Sequence, residues 1–256
     1  MILTIDVGNT NIVLGCFDGG KIAFTERLST DLGKTSLEYA ILFRTALDIH
    51  AVKAELIDGA IIGSVVPPVT PVIRTALRKA CKVNAYILGP GLKTGLNIRM
   101  ENPASVGADL IAGAVGAMED YPCPLMVIDL GTATTMCVVD QDETFIGGMI
   151  MPGIRVSLNS LVQEASMLQG ISLETPKTVI GHNTVDAMRS GIIYGNAAMI
   201  DGMIDRTEEE IGQKITVIAT GGLASRVIDS CLHSIILDPE LVLRGLALIY
   251  GRNKKA

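Results

Sequence analysis

The chain opens with a short apolar run, Met1 to Ile5, that ends in Asp6-Val7-Gly8-Asn9-Thr10-Asn11 and resumes from Ile12 to Phe17 before Asp18-Gly19-Gly20. Two apolar runs joined by small polar residues, with an Asp-Gly turn after the second, predict a β-hairpin. Ile22 to Leu28 alternates roughly every second residue and predicts a third strand. The period then changes: over Ser36 to Leu47 the apolar positions Leu37, Ala40, Ile41, Phe43 and Leu47 fall at helical spacing. Ile57 to Val66 reads as a strand stopped by Pro67-Pro68, and Val69 to Ala80 as a helix with basic residues at its end. Tyr86-Ile87-Leu88 and Gly95 to Arg99 are brief strands, and the Ala- and Gly-rich Ile111 to Met118 is helical, with Asp109 in its first turn. Three strands followed by alternating helices and strands predict a mixed sheet with helices packed on it.

The opening pattern then returns. Leu125 to Ile128 runs into Asp129-Leu130-Gly131-Thr132-Ala133-Thr134-Thr135, continues as the strand Met136 to Val139, and ends in the acidic turn Asp140-Gln141-Asp142-Glu143. Laying Ile5-Asp6-Val7-Gly8 on Ile128-Asp129-Leu130-Gly131 brings the following strand and turn into step, which is the signature of an internal duplication. Phe145 to Met151 leads to Pro152-Gly153 and an amphipathic helix, Ile154 to Ala165, with Leu158, Leu161 and Val162 on one face. Gly181-His182-Asn183-Thr184 precedes a long helix from Val185 to about Ile211, with Thr184 in the place of an N-cap. Gly191, Gly195 and Gly202 on that helix suit close packing against another helix, in the core or in a dimer; the pattern leaves both open. Ile215 to Thr220 is the last central strand, stopped by Gly221-Gly222-Leu223, and Ala224 to Ser230 and Leu241 to Tyr250 are helical.

Composition narrows the class. A chain of 256 residues has room for two lobes, at about 150 residues per domain. Hydrophobic residues make up 48% with no Trp, a palette suited to a buried α/β sheet. The net charge of −6 and a single basic cluster, Arg252-Asn253-Lys254-Lys255, read as a solvated tail, argue against a nucleic-acid surface. Five scattered cysteines without a C-x-x-C pair read as reduced core residues of a cytoplasmic protein. No apolar stretch approaches the roughly 20 residues a membrane span needs, and no leader pattern opens the chain, so neither export nor membrane insertion is expected. No His/Cys/Asp spacing suggests a transition-metal site.

The candidate chemistry lies in the two Asp-x-Gly loops. An acid at the end of a buried strand can hold a hydrated Mg²⁺, while Gly8 lets the backbone approach an oxyanion and the Asn and Thr groups add donors. Neither a Walker loop nor a dinucleotide fingerprint is present. One such loop alone reads equally well as a hairpin turn. Two, each ending a strand and starting a hairpin, favour paired phosphate loops, which two similar lobes would place in the cleft between them. Asp109, by position, is a helix-stabilising acid worth about 0.5–1 kcal/mol. Gly221-Gly222 is either a turn that needs positive φ or a surface left bare for a flat ligand.

With these loops located, the chain resembles the sugar kinase, heat-shock chaperone and actin superfamily, and more closely the type III pantothenate kinases. The resemblance covers essentially the whole sequence: Asp6 to Asn11, Gly63-Ser64-Val65-Val66-Pro67, Asn102-Pro103, Gly107-Ala108-Asp109, Asp129 to Thr134, Pro152-Gly153-Ile154 and Thr220-Gly221-Gly222. It implies an α/β fold of two actin-like, ribonuclease H-like lobes, each a mixed sheet with packed helices, with the active site in the cleft between them. The division would place residues 1–118 in an N-terminal lobe and 119–256 in a C-terminal one. It also implies ATP-dependent phosphorylation of pantothenate to 4'-phosphopantothenate, the first step of coenzyme A biosynthesis. The long helix after Thr184 motivates a homodimer.

The resemblance assigns roles residue by residue. Asp6, Val7, Gly8, Asn9, Thr10, Asn11, Ile12 and Val13, with Gly131 and Thr132, would hold the nucleotide phosphates, and Asp6 would also hold Mg²⁺ through water. Gly221 and Gly222 would border the adenine. Asp129 matches a monovalent-cation site for K⁺ or NH₄⁺. Gly107, Ala108, Asp109 and Leu110 match the pantothenate-binding segment, with Asp109 as general base, and Thr184 matches a further substrate contact. Met100 stands where many members carry an aromatic residue; it can fill the same apolar space but has no hydroxyl to donate. Two other readings share the fold: a superfamily kinase for another small alcohol, and a non-catalytic regulatory protein. The presence of Asp6, Asp109 and Asp129 together argues against the second.

Overall fold

A computed structural model describes residues 1–254, which form two compact units. The first unit holds Met1–Glu119 and the chain from Glu240 onward. It begins with β1 (Ile2–Val7), β2 (Asn11–Asp18) and β3 (Lys21–Ser29), an antiparallel meander, followed by α1 (Ser36–Ile49), β4 (Gly59–Ser64), α2 (Thr70–Cys81) and the short β5 (Tyr86–Ile87). β4 lies parallel to β1 on its other side, so the sheet order is β3-β2-β1-β4-β5, a mixed sheet. A further short strand, β6 (Asn97–Ile98), precedes α3 (Ala108–Asp120).

Alternation along β1 divides the side chains between two faces. Leu3, Ile5 and Val7 join Ile12, Leu14, Tyr39, Phe43, Leu47, Ile73 and Leu77 in the core beneath α1 and α2. α1 starts in a capping box: the Thr35 hydroxyl accepts from the Glu38 backbone N–H at 3.4 Å, and the Glu38 carboxylate accepts from the Thr35 N–H at 2.8 Å. Its buried face is rotated from the expected one. Tyr39, Ala40, Phe43, Ala46 and Leu47 face inward, while Leu37 and Ile41 are exposed. The Tyr39 hydroxyl explains the rotation, because it reaches inward to donate to the Asp31 carbonyl and accept from the Asp31 N–H, both at 2.9 Å.

The second unit, Asp120–Pro239, repeats the strand plan. β7 (Leu125–Leu130), β8 (Ala133–Val139) and β9 (Thr144–Pro152) form a meander, followed by α4 (Ile154–Glu164), the 28-residue α5 (Thr184–Ile211), β10 (Thr216–Thr220), α6 (Ala224–Val227) and β11 (Ile236–Leu237). Within the unit the order is β9-β8-β7-β10-β11, with β10 parallel to β7. Strand for strand this matches β3-β2-β1-β4-β5. The irregularities match too: β2 shifts register between Cys16 and Phe17, and β8 between Val138 and Val139. The duplication is not quite in step, however. Four residues, Gly8 to Asn11, separate the paired Val7 and Ile12, but only three, Gly131 to Ala133, separate Leu130 and Thr134.

α4, α5 and α6 cover one face of the second sheet through Ile154, Leu158, Ile193, Ala197, Ile200, Ile204 and Val227. Leu161 of α4, expected on the buried face, is 40% exposed. α6 is shorter than the expected Ala224–Ser230 helix, because Ile228–Ser230 tightens into a 3₁₀ turn.

The last helix, α7 (Leu241–Asn253), belongs to the first unit rather than to the C-terminal lobe that residues 119–256 were expected to form. Small residues make this possible. A Cβ on Gly245 would overlap the Ala112 carbonyl of α3, and one on Gly116 would overlap the Leu241 carbonyl, so α3 and α7 meet nearly backbone to backbone. On the sheet, a Cβ at Gly63 would come within 3.1 Å of Leu246, and one at Gly59 would overlap Tyr250. Nor is the basic stretch at the end of α7 merely solvated. Arg252 donates to the Thr94 carbonyl, and Asn253 exchanges two 2.9 Å hydrogen bonds with the Lys93 backbone. Lys255, the last residue of that stretch, lies outside the described residues.

Candidate active site

The first Asp-x-Gly loop is held from three sides. Asp6 lies opposite Val13 on β2 and beside Gly63 on β4. The turn is closed by the Gly8 N–H donating to the Asn11 carbonyl at 2.9 Å. Thr30, just past β3, donates its hydroxyl to the Gly8 carbonyl at 2.6 Å and its N–H to the Thr10 carbonyl at 3.0 Å. A Cβ on Gly8 would come within 3.2 Å of the Asn11 carbonyl, so glycine is what lets the loop fold this tightly. The result is a fixed backbone whose Asn9 and Thr10 side chains remain exposed. Asp6 alternates with Leu3, Ile5 and Val7 and so lies on the sheet face covered by α3 and α7, the face on which Asp109 also stands.

Asp109 is the second residue of α3, and burial raises its carboxyl pKa above the ordinary range. Two backbone hydrogen bonds, from Leu110 and from its own N–H, oppose that rise but do not cancel it; the Leu110 N–H donates to Oδ1 at 2.8 Å. The preceding Gly107 leaves the space the carboxylate occupies, since a Cβ there would overlap Oδ1. Gly107, Ala108, Asp109 and Leu110 therefore form one constrained helix start, with Ala108 buried and the other three partly buried. Met100 is exposed and precedes a short turn, Pro103–Ser105, that is fastened by the Ser105 hydroxyl donating to the Asn102 carbonyl at 2.7 Å.

In the second unit Asp129 lies opposite Thr135 on β8 and beside Thr220 on β10. The Gly131 N–H closes the loop onto the Ala133 carbonyl at 3.1 Å, the counterpart of the Gly8 bond. Gly221 has φ +94°, and a Cβ on it would overlap Asp129 Oδ1 and come within 2.7 Å of the Leu130 nitrogen. That glycine needs a left-handed backbone, and it is bare because the Asp129 carboxylate and the Leu130 backbone approach it. Gly153, at the N-cap of α4, packs its Cα against the Thr132 and Gly131 carbonyls, where a side chain would not fit. Side by side on the three strands, Asp129, Thr135 and Thr220 present oxygen donors only, a set suited to a hard cation rather than a transition metal. Among the described residues no group of three or more His, Cys, Asp or Glu side chains forms a metal cluster.

Thr184 is exposed and is the first residue of α5, not its cap. That position belongs to Asn183, whose side chain accepts from the Asp186 N–H at 2.9 Å. Asn fills the role because its amide also donates to the Asp186 carboxylate at 2.7 Å.

Sequence reasoning did not single out the cavity of about 700 Å³ in this unit, lined by Arg155, Asn159 and Gln163 of α4, Ser172 and Glu174 of the following segment, and Gly222 and Arg226. Its polar groups come from three stretches, the last of which, at Gly222 and Arg226, is remote in the chain from the other two. Arg155 follows the Pro152-Gly153-Ile154 motif and Arg226 lies one helical turn past Gly222, which are the only local signals.

Solved structures define the class. The chain is similar to the ROK hexokinase from Thermus thermophilus, with a TM-score of 0.52 and 14% identity over 97% of both chains. It is also similar to a protein described as a Baf family transcriptional activator from Campylobacter jejuni, with a TM-score of 0.61 and 20% identity over 98% of both. At these identities the likeness concerns the fold alone, the two-lobed, actin-like α/β fold of the sugar kinases. Sequence relatives narrow it. A profile of type III pantothenate kinases matches residues 2–206. Relatives with that name are 47% identical over 255 residues in an Exiguobacterium species, covering 100% of both chains, and 43% identical over 253 residues in Bacillus cytotoxicus, covering 99% and 97%. The chain belongs to the type III pantothenate kinase family.

Proposed function

We propose that this enzyme transfers the γ-phosphoryl group of ATP to the primary hydroxyl of pantothenate, giving 4'-phosphopantothenate at the entry to coenzyme A synthesis. Beyond family membership, the observation that carries the reading is Asp109: a partly buried carboxylate of raised pKa, set at a helix start in space that Gly107 leaves for it. Phosphoryl transfer depends chiefly on positioning and charge neutralisation. Asp109 orients the hydroxyl and takes its proton, and its raised pKa makes it a better base at neutral pH than an ordinary carboxylate. Ala108 and Leu110 position pantothenate beside it, with Thr184 as a further contact and Met100 as an apolar wall.

The Gly8–Asn11 loop and Gly131-Thr132 hold the phosphates, and the cavity beside Gly222 takes the adenosine end, where Arg155 and Arg226 add positive charge. Asp6 would hold Mg²⁺ through water and Asp129 a K⁺ or NH₄⁺ ion. Bound there, the cations neutralise phosphate charge and relieve the repulsion between Asp129 and the nucleotide.

The expected assay result is ADP release that depends on pantothenate and is stimulated by K⁺ over Na⁺. Release with sugars but not with pantothenate would refute the substrate, and equal rates in Na⁺-only buffer would refute the monovalent cation. Free cysteines support a cytoplasmic enzyme. No helix among the described residues is long and apolar enough to cross a membrane. Gly191 and Gly195 of α5 have open space where a Cβ would stand, which supports a homodimer closed over that helix face. A monomer mass by light scattering across the working concentration range would refute it.

A further inference from the structure

The hydroxyl of Thr135 is buried without a hydrogen-bond partner. Buried hydroxyls are nearly always paired, so an orphan calls for an explanation. Thr135 is the cross-strand neighbour of Asp129, on the same face of β7 and β8, with Thr220 flanking Asp129 on the other side. The two residues are direct cross-strand partners, yet the hydroxyl makes no hydrogen bond to the carboxylate. A lone pair held beside an anionic oxygen, in an all-oxygen setting, is what a hard cation uses as a ligand. A Cβ on Gly221 would overlap Asp129 Oδ1 and one on Gly131 would come within 3.5 Å of it, so neither glycine crowds the carboxylate. Thr134 offers an internal contrast. Its hydroxyl is equally unpaired, but alternation places it with Met136 and Val138 on the opposite face, in the core beneath α4 and α5.

We propose that the Thr135 hydroxyl is a direct ligand of the monovalent cation at Asp129, a proposal that rests on the Asp129 assignment above. Without the ion the hydroxyl is a liability; with it, the hydroxyl completes the site. This makes an opposed pair of expectations for Thr135→Val, which keeps the shape and removes only the oxygen. The variant should melt at or above the parent temperature without K⁺ and lose the stabilisation that K⁺ confers.

The test is thermal melting of the full-length protein with Mg²⁺ and ADP, titrated with KCl while NaCl holds ionic strength constant, so that the Tm rise reports cation binding. The parent Tm should rise with K⁺. Thr135→Val should shift the K⁺ midpoint upward by at least about 10-fold, since even groups that only support a ligand are worth about 10–100-fold. Thr135→Ser should restore the parent midpoint, and Thr134→Val should raise Tm without moving it. If Thr135→Val did not fold, Thr135→Ala would give the same reading. A Thr135→Val midpoint equal to the parent's would overturn the proposal and leave Asp129 standing. No difference between K⁺ and Na⁺ in the parent would overturn the Asp129 assignment, and the proposal with it.

Discussion

Gly107→Ala separates the geometry of the proposed base from its chemistry. The new methyl would sit about 1 Å inside the 3.4 Å at which ordinary contact with Asp109 Oδ1 begins, so the carboxylate must move by about that amount. In moving it gives up the 2.8 Å hydrogen bond from the Leu110 N–H. A misplacement of about 1 Å at a reacting group costs about 100-fold in rate, or about 2.7 kcal/mol of transition-state stabilisation. The fold itself should tolerate the change. Gly107 is not among the residues of positive φ, and the overlapping atom is the movable end of a side chain. Alanine also restricts the unfolded chain, which is worth about 0.4–1 kcal/mol in the opposite direction. Steady-state ADP release should therefore show kcat reduced about 100-fold with a KM for ATP near the parent's and little change in Tm. A kcat within about threefold of the parent would refute the argument that the Asp109 position is set by the bare glycine.

Asp109→Asn should reduce kcat by about 10²–10⁴-fold and abolish the acidic limb of the kcat/KM profile, which a pH series would show. The same variant should be more stable at neutral pH. Because burial raises the folded-state pKa of Asp109, the folded protein keeps its proton longer than the unfolded chain as pH rises. Native stability is then lost between the ordinary carboxylate pKa and the raised one, and the penalty is complete above both. Melting curves of parent and variant should accordingly coincide in acid and separate toward neutral pH; parallel curves would contradict the burial argument. Gly221→Ala should lower stability, since φ +94° strains any L-residue by about 1–3 kcal/mol and the added methyl meets the Leu130 backbone, which cannot swing aside. A denaturant midpoint unchanged from the parent would show that the turn relaxes.

Much of this arrangement is written locally. The strand ending in Asp6 and its echo at Asp129, the hairpins after them, and the helix start at Asp109 all follow from short-range periodicity and turn residues, because each is formed by neighbours in the chain. The inward face of α1, by contrast, is not set by its local pattern. Leu37 and Ile41 suit the helical period as well as Tyr39 and Ala46 do, and the choice between them was made by the Tyr39 hydroxyl reaching Asp31. Thr184 and Asn183 are both good caps by type, and only the side-chain geometry selects Asn183.

The sequence by itself determined the element types, the duplicated Asp-x-Gly hairpins and the candidate carboxylates, since these depend on residue spacing and on the conformational range of glycine. Tertiary structure decided which distant pieces meet. It returned α7 to the first unit, through the contact of Gly245 with Ala112 and of Gly116 with Leu241. It also set Thr220 of β10 beside Asp129, on the flank of β7 away from its own hairpin. Such meetings depend on strand register and on close backbone approach, neither of which a local pattern of apolar and polar residues can specify.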